Sequence, residues 1–241
     1  MLQRSSARTI WCALLPVVLA VTASIPGSSE PSLPRADSPV LDFAVDYRMN
    51  GAKAENMVEA CAGVDRLLAA CEGHIDTVRA AAFDDPDKTV RATVWTSIEA
   101  VEAASLVLDT SEERKTFTGS ADVNREGRLH FRQLRERVYS DAKCGHLEVV
   151  VFRTKATVTR EANVARFDDA ESEFEKGKGL IAHSLWIAPD GRWAHLLKWE
   201  SESAFTETGK ALFMQPKVGG FIRSLDFKRF VVTRGNVTAS K

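Results

Sequence analysis

The sequence has no excess of either charge: 32 Lys and Arg stand against 33 Asp and Glu in 241 residues, a formal net charge of −1. With no basic stripe along the chain, this balance argues against a nucleic-acid reader held by phosphate contacts. It has no apolar run long enough to cross a bilayer comfortably, which excludes a multi-span membrane protein. It has no Cys-x-x-Cys pair, no grouping of His with Cys at zinc-ligand spacing and no His-Glu-x-x-His, so no metal site is expected. The glycine patterns of dinucleotide-binding turns and P-loops and the Gly-x-Ser-x-Gly elbow are also missing, which argues against nucleotide chemistry and serine hydrolysis. Tyrosine is scarce, two against twelve Phe and five Trp. That uneven set suits a broad apolar lining as well as it suits a plain core.

What is present reads as globular. The chain is 44% hydrophobic and 27% charged, and its length suits one large domain or two small ones. The first 23 residues stand apart: Arg4 and Arg8 precede the apolar run from Ile10 to Val21, with Val21 and Ala23 as small residues at a plausible cleavage position. This is the layout of a signal peptide, interrupted by Trp11 and Pro16. Cysteine usage points the other way. Without Cys12 the chain keeps Cys61, Cys71 and Cys144, an odd number that suits a reducing compartment. Two locations therefore stay open, cytoplasmic with an uncleaved extension, or secreted or membrane-associated. Cys61 and Cys71 lie about 15 Å apart on a continuous helix at 1.5 Å per residue, so they are expected as reduced core residues.

Residues 24–39 hold four prolines and several serines without periodicity and read as a linker. From Val40 a strand alternates Leu41, Phe43, Val45 and Tyr47 with Asp42, Ala44 and Asp46. A helix follows on the stripe Met57, Cys61, Val64, Leu68 and Cys71, then two strands around DDPDK, a helix capped by Ser97, and a closing strand through LHFRQLRERVY. The order then recurs: a strand near Leu147–Arg153, a helix with Val164, Phe167, Ala170 or Glu171, and Phe174 inward, strands IAHSLWIA and RWAHLLKW about the turn Pro189-Asp190-Gly191, a helix with Phe205, Gly209, Leu212 and Phe213 inward, and SLDFKRFVV.

The halves align. Trp95, Ser97 and Ala100 recur as Trp199, Ser201 and Ala204, LHFR matches LDFK, and Gly73 and Gly179 precede their tryptophans by similar intervals. An internal duplication is the expectation: residues 40–140 and 145–235 as two ferredoxin-like units, each with one sheet face under helices and one needing cover. Two such sheets closed on each other predict an α+β fold, an intrachain pseudo-dimeric α/β barrel.

The segments LEVVVFRTKATV, GLIAHSLWIAPDGRWAHLLKWESESAF and LFMQPKVGGF resemble the antibiotic-biosynthesis-monooxygenase-like members of the dimeric α/β barrel superfamily. That superfamily includes cofactor-free oxygenases of aromatic polyketides and quinols, haem-degrading oxygenases, polyketide cyclases and members without known activity. The haem-degrading signature does not carry over, because Ala211–Gly220 contains no histidine and the pocket tryptophan is replaced near Thr208. The resemblance thus implies a cofactor-independent monooxygenase acting on a small aromatic or polyketide-like molecule with O2, as a monomer or weak homodimer, with no cofactor and no nucleic acid. The alternatives are a cyclase or isomerase in the same pocket, or a non-catalytic ligand-binding barrel.

Strand alternation puts Trp193, His195, Leu197 and Trp199 on one face, and His183 with Leu185 and Ile187 on one face of the neighbouring strand. His195 is the expected general base and His183 its neighbour, since imidazole titrates near neutral pH. Trp193, Trp199, Trp95 and Phe205 are expected to line the pocket. Arg91 aligns with His195 between the halves and is expected either as an oxyanion partner or as an exposed strand arginine. Asp42, Asp46 and Asp76 lie on strands without an identifiable partner.

Overall fold

The computed structural model describes residues 34–35, 37–123 and 129–240. The expected leader, Cys12 and most of the linker lie outside the described residues.

Nine strands and six helices make up the described chain. The first half runs β1 (Val40–Arg48), α1 (Ala54–Ala69), β2 (His74–Ala82), β3 (Lys88–Trp95), α2 (Ile98–Asp109), α3 (Glu112–Thr118), β4 (Ala121–Val123) and β5 (Leu129–Val138). The second runs β6 (His146–Phe152), α4 (Arg160–Phe174), β7 (Leu180–Ile187), β8 (Trp193–Trp199), α5 (Glu202–Phe213), α6 (Pro216–Ile222), a 3₁₀ turn at Phe227–Arg229, and β9 (Val231–Ser240).

Antiparallel pairing gives the order β3-β2-β9-β6-β8-β7-β5-β1, and β1 also pairs with β3, so eight strands close into a barrel, with β4 added at the end of β1. Each half contributes four adjacent strands, β5-β1-β3-β2 and β9-β6-β8-β7. The halves join where β2 pairs with β9 and β5 with β7. Closure removes the free edges that an open sheet would present. Among the described residues no helix is long and apolar enough to cross a membrane.

The period of two sorts every strand into inner and outer faces. Leu41, Phe43, Val45, Val78, Ala80, Val90, Ala92, Leu147, Val149, Val151, Ala194 and Leu196 fill the barrel. Asp76 and Lys198 share that inner parity and form an ion pair across the halves. The opposite faces lie under helices as two separate layers. One packs Met57, Cys61, Val64 and Leu68 of α1 with Val101, Ala104, Leu108 and Trp95. The other packs Val164, Phe167, Ala170 and Phe174 of α4 with Trp193, Leu197, Trp199, Leu212 and Phe221. Cys61 and Cys144 are buried and Cys71 half-buried, all three as free thiols.

One junction recurs in both halves and gives the shared pattern its physical meaning. Ser97 and Ser201 are the N-caps of α2 and α5, their hydroxyls accepting from the backbone N–H of Ala100 and Ala204. Gly73 and Gly179 sit at φ +80° and +78°, and a Cβ there would lie 2.6 and 2.5 Å from the Cβ of Ala100 and Ala204. The tryptophan ends its strand, the serine starts its helix, and the alanine packs on the glycine backbone. The match of LHFR to LDFK has no such basis: Leu129–Arg132 lies on β5, whereas Leu225 bridges to Thr154 and Phe227–Arg229 is a 3₁₀ turn capped by Asp226. The final strand begins only at Val231.

Candidate functional site

The helix-facing side of β7 and β8 carries His183 and His195, as their alternation requires. Leu185 is the direct cross-strand partner of His195, and His183 is one diagonal step away. Their rings meet, with His183 Nδ1 3.3 Å from His195 Nε2. On its other side His183 Nε2 is 3.0 Å from the hydroxyl of Tyr139, a half-buried residue just beyond the end of β5. The result is a chain of three polar groups running from a half-buried phenol to an imidazole inside the layer.

Phenylalanines enclose the chain. Phe167 stacks on His183 at 4.7 Å, and Phe174, Phe167 and Phe221 stand edge-on to His195 at 5.2 to 5.7 Å. Both histidines are closed into packing, 1% and 5% exposed. Burial without a carboxylate partner disfavours the charged form. It takes His183 down to about 3, with Arg137 adding to the effect, and holds His195 well below the usual imidazole range. Tyr139 is pushed up to about 12 by burial and by the Glu171 carboxylate. At neutral pH the chain is therefore uncharged throughout.

Of the other expected lining residues, Trp193, Trp199 and Phe205 lie in the same helix layer. Trp193 stacks on Phe152 at 6.3 Å in the same layer. Trp199 meets Phe205 edge to face at 5.7 Å, and Phe205 stacks on His146 at 5.0 Å. Arg91 and Trp95 belong to the other helix layer and do not join the histidine pair. Arg91 is not the exposed strand arginine that was one expectation. It is buried, 3.6 Å from Asp42, whose other oxygen faces His130 at 3.3 Å. Beside it Arg79 donates to both oxygens of Asp65 on α1, at 2.8 and 2.9 Å, and to Asp46 at 2.6 Å. Asp42 and Asp46, which lacked partners in the sequence, thus take part in buried ion pairs, while Asp76 pairs with Lys198 inside the barrel. The two layers occupy corresponding places and differ in chemistry, one charged and one aromatic.

Two polar residues escaped the sequence reading. Tyr139 reaches His183 only because β5 crosses to pair with β7, a contact over 44 positions. Glu148 lies on the helix-facing side of β6, buried, and burial raises its carboxyl to about 7. Its signal was a lone carboxylate in the otherwise apolar strand HLEVVVF. Among the described residues, no group of three or more His, Cys, Asp or Glu side chains is placed to hold a metal ion.

No protein-family model matches this chain, and no curated protein does. Solved structures match in fold, and the architecture is that of the dimeric α/β barrels. A candidate monooxygenase from Fusobacterium nucleatum superposes with a TM-score of 0.66 at 11% identity, over 85% of this chain and 94% of that one. An anthrone oxidase-like protein gives 0.54 at 13% identity, over 88% and 95%. Chlorite dismutase of Candidatus Nitrospira defluvii gives 0.58 at 12% identity, over 84% and 92%.

Proposed function

We propose that this protein is an oxidoreductase of the cofactor-independent monooxygenase type, acting on a small aromatic or polyketide-like molecule in the helix layer of its C-terminal half. The observation that carries the reading is the Tyr139–His183–His195 chain inside an aromatic enclosure, in a fold shared with proteins named as monooxygenases and anthrone oxidase-like.

In this reading a phenolic or enolic substrate is the reductant. Once deprotonated, its electron-rich carbon reacts with O2; one oxygen atom enters a new carbonyl at that carbon, the substrate gives up its O–H and that carbon's C–H hydrogen, and the second oxygen leaves with them as water. The protein's task is to take the first proton away. An imidazole with so low a proton affinity is a poor store for it, but the chain need not store it. With Nε2–H of His195 donated to His183 Nδ1, and Nε2–H of His183 donated to Tyr139 Oη, the Nδ1 of His195 is left as an acceptor. Proton uptake there can pass along the two bonds and leave from the Tyr139 hydroxyl, with no imidazolium accumulating. A phenolate forming beside His195 also supplies the negative partner that burial withholds.

Oxygen uptake and product mass across anthrones, hydroquinones and linear polyketides test this. His195→Gln is expected to lower turnover by roughly 10²-fold or more with melting unchanged, since a general base typically contributes that much. Tyr139→Phe, which cuts the exit, is expected to lower kcat without loss of binding. Equal turnover in wild type and His195→Gln removes the histidine from the mechanism. The closure of both imidazoles favours a second reading, a non-catalytic ligand-binding barrel, and absence of uptake across the panel selects it.

We further read residues 40–140 and 145–235 as two copies of one unit. The shared glycine, tryptophan, serine and alanine junction supports this, and with the barrel closed within one chain, a monomer or weak homodimer follows.

A further inference from the structure

Beyond His195, the same sheet face carries polar groups that the proton relay does not use. Glu148 Oε2 and the indole Nε1 of Trp199 are buried and meet no hydrogen-bonding group among the described residues. Glu148 is 4% exposed and Trp199 1%. His146, directly cross-strand from Trp199 and two residues before Glu148, is fully buried between the rings of Phe83 and Phe205, at 5.3 and 5.0 Å. Cross-strand neighbours of this kind hold their Cβ atoms about 5 Å apart, and diagonal ones about 7–8 Å. Glu148 is diagonal to His195 through Val150. The orphaned acceptor and donor therefore lie beside one another and beside the relay.

The N-terminal half shares one part of this and not the other: the indole Nε1 of Trp95 is likewise buried and unpartnered among the described residues, and the difference lies in the carboxylate. Asp42 stands two residues after Val40, the cross-strand partner of Trp95, as Glu148 stands two residues after His146, the cross-strand partner of Trp199; Asp42 pairs with Thr93, Glu148 with Leu197. There the carboxylate has Arg91 and His130 against it. In the C-terminal half, His195 stands where Arg91 does and turns to His183. The nearest cation, Arg234, is cross-strand from Glu148, but its guanidinium lies over the Phe205 ring at 5.5 Å. Outside Phe205 a surface dish of about 520 Å³ opens between Ser201, Glu202, Ser203, Thr206, Glu207 and Asn236. Phe205, half-buried, lies in the chain between the rim residues Ser203 and Thr206 and packs its ring on Trp199 and His146.

We propose that Glu148 and the Trp199 indole N–H form a binding contact for a hydroxyl of a small neutral phenol other than the one whose proton passes to His195, admitted from the dish by displacement of Phe205. This deepens the proposed function, on which it rests, by naming the substrate class. The phenol oxygen accepts from the indole N–H, its O–H donates to Glu148, and its ring takes the aromatic surroundings of Phe83, His146 and Phe205. Charge selects against other ligands: Glu202, Glu207 and Glu148 disfavour an anion, and Arg234 already holds the face of Phe205 that a cation would use.

A buried carboxyl without a partner costs stability, so a binding role and a structural role predict opposite responses to its removal. Binding of 4-methylphenol, which is neutral at pH 7, is measured by tryptophan fluorescence and calorimetry, alongside thermal melting. Wild type is expected to bind saturably. Glu148→Leu is expected to bind at least tenfold more weakly while melting at the same or a higher temperature, and Trp199→Phe, which keeps the ring and removes the N–H, to bind more weakly too. Absence of binding in wild type, unchanged binding in Glu148→Leu, or a lower melting temperature for that variant overturns the proposal. The measurement needs no turnover. Glu148-dependent binding without oxygen uptake from any phenol supports this contact and defeats only the oxygenase reading.

Discussion

Gly179 is held at φ +78° with the Cβ of Ala204 2.5 Å from where its own would stand. An alanine there meets both a left-handed backbone penalty and a packed neighbour. Gly179→Ala is expected to cost about 2–4 kcal/mol, read by urea denaturation, while Gly191→Ala, which faces only the Arg153 side chain at 3.4 Å, carries the backbone part alone. The buried histidine shows itself through pH. Its native proton affinity is depressed to about 3 against about 6.5 unfolded, so between these values the unfolded chain binds a proton that the native chain does not. The sign is a loss of stability as pH falls from about 6.5 towards 3, at about 1.4 kcal/mol per pH unit. His183→Leu is expected to flatten the stability profile by that slope between about pH 6 and 4. An unchanged slope means that the native histidine is protonated after all. Glu148 works in the opposite sense: raised to about 7, it keeps a proton the unfolded chain releases, and its contribution is lost as pH rises from about 4.5 to 7.

At the scale of elements, α1 is fastened to the sheet by charge, since Asp65 receives two bonds from Arg79 while Asp46 on β1 receives a third. Taking away the cation leaves two buried carboxylates facing each other, so Arg79→Leu is expected to cost about 3–5 kcal/mol in denaturant titration, far more than an exposed pair would. A loss under 1 kcal/mol, the scale of surface ion pairs, contradicts this. None of that network could be read along the chain. Alternation set Asp42 and Asp46 opposite Leu41, Phe43 and Val45 without telling which face is covered, and the partner on α1 depends on how the helix docks. The same reasoning divides the candidate site. His183 and His195 could be placed on adjacent strands because a tight turn joins β7 to β8, whereas Tyr139 arrives from β5 through a pairing that only barrel closure creates. Glu148 was visible as a carboxylate out of keeping with its strand. LHFR and LDFK show the converse, a likeness of letters between a strand and a turn.

The molecule as a whole is one closed sheet in which each half completes the other. Because β2 pairs with β9 and β5 with β7, neither half keeps its hydrogen bonds alone, and a fragment of residues 40–140 would expose two strand edges and the barrel face of its core. Unfolding of residues 34–241 is expected as a single transition with coincident fluorescence and circular dichroism, and two separated transitions would show that the halves are independent. That the sheet would close on itself within one chain was legible, because two sheets that each leave one apolar face uncovered can cover one another. That one helix layer would be ionic and the other aromatic was not, since it depends on which side chains meet. The division gives the account its central claim: chemistry belongs to the aromatic C-terminal layer, and its charged counterpart is structural. The most direct measurement is oxygen uptake with product mass on one accepted aromatic substrate, comparing His195→Gln with Arg91→Leu at the corresponding position. Turnover is expected to fall roughly 10²-fold in His195→Gln and to persist in folded Arg91→Leu protein; the reverse pattern, or equal loss in both, contradicts the account.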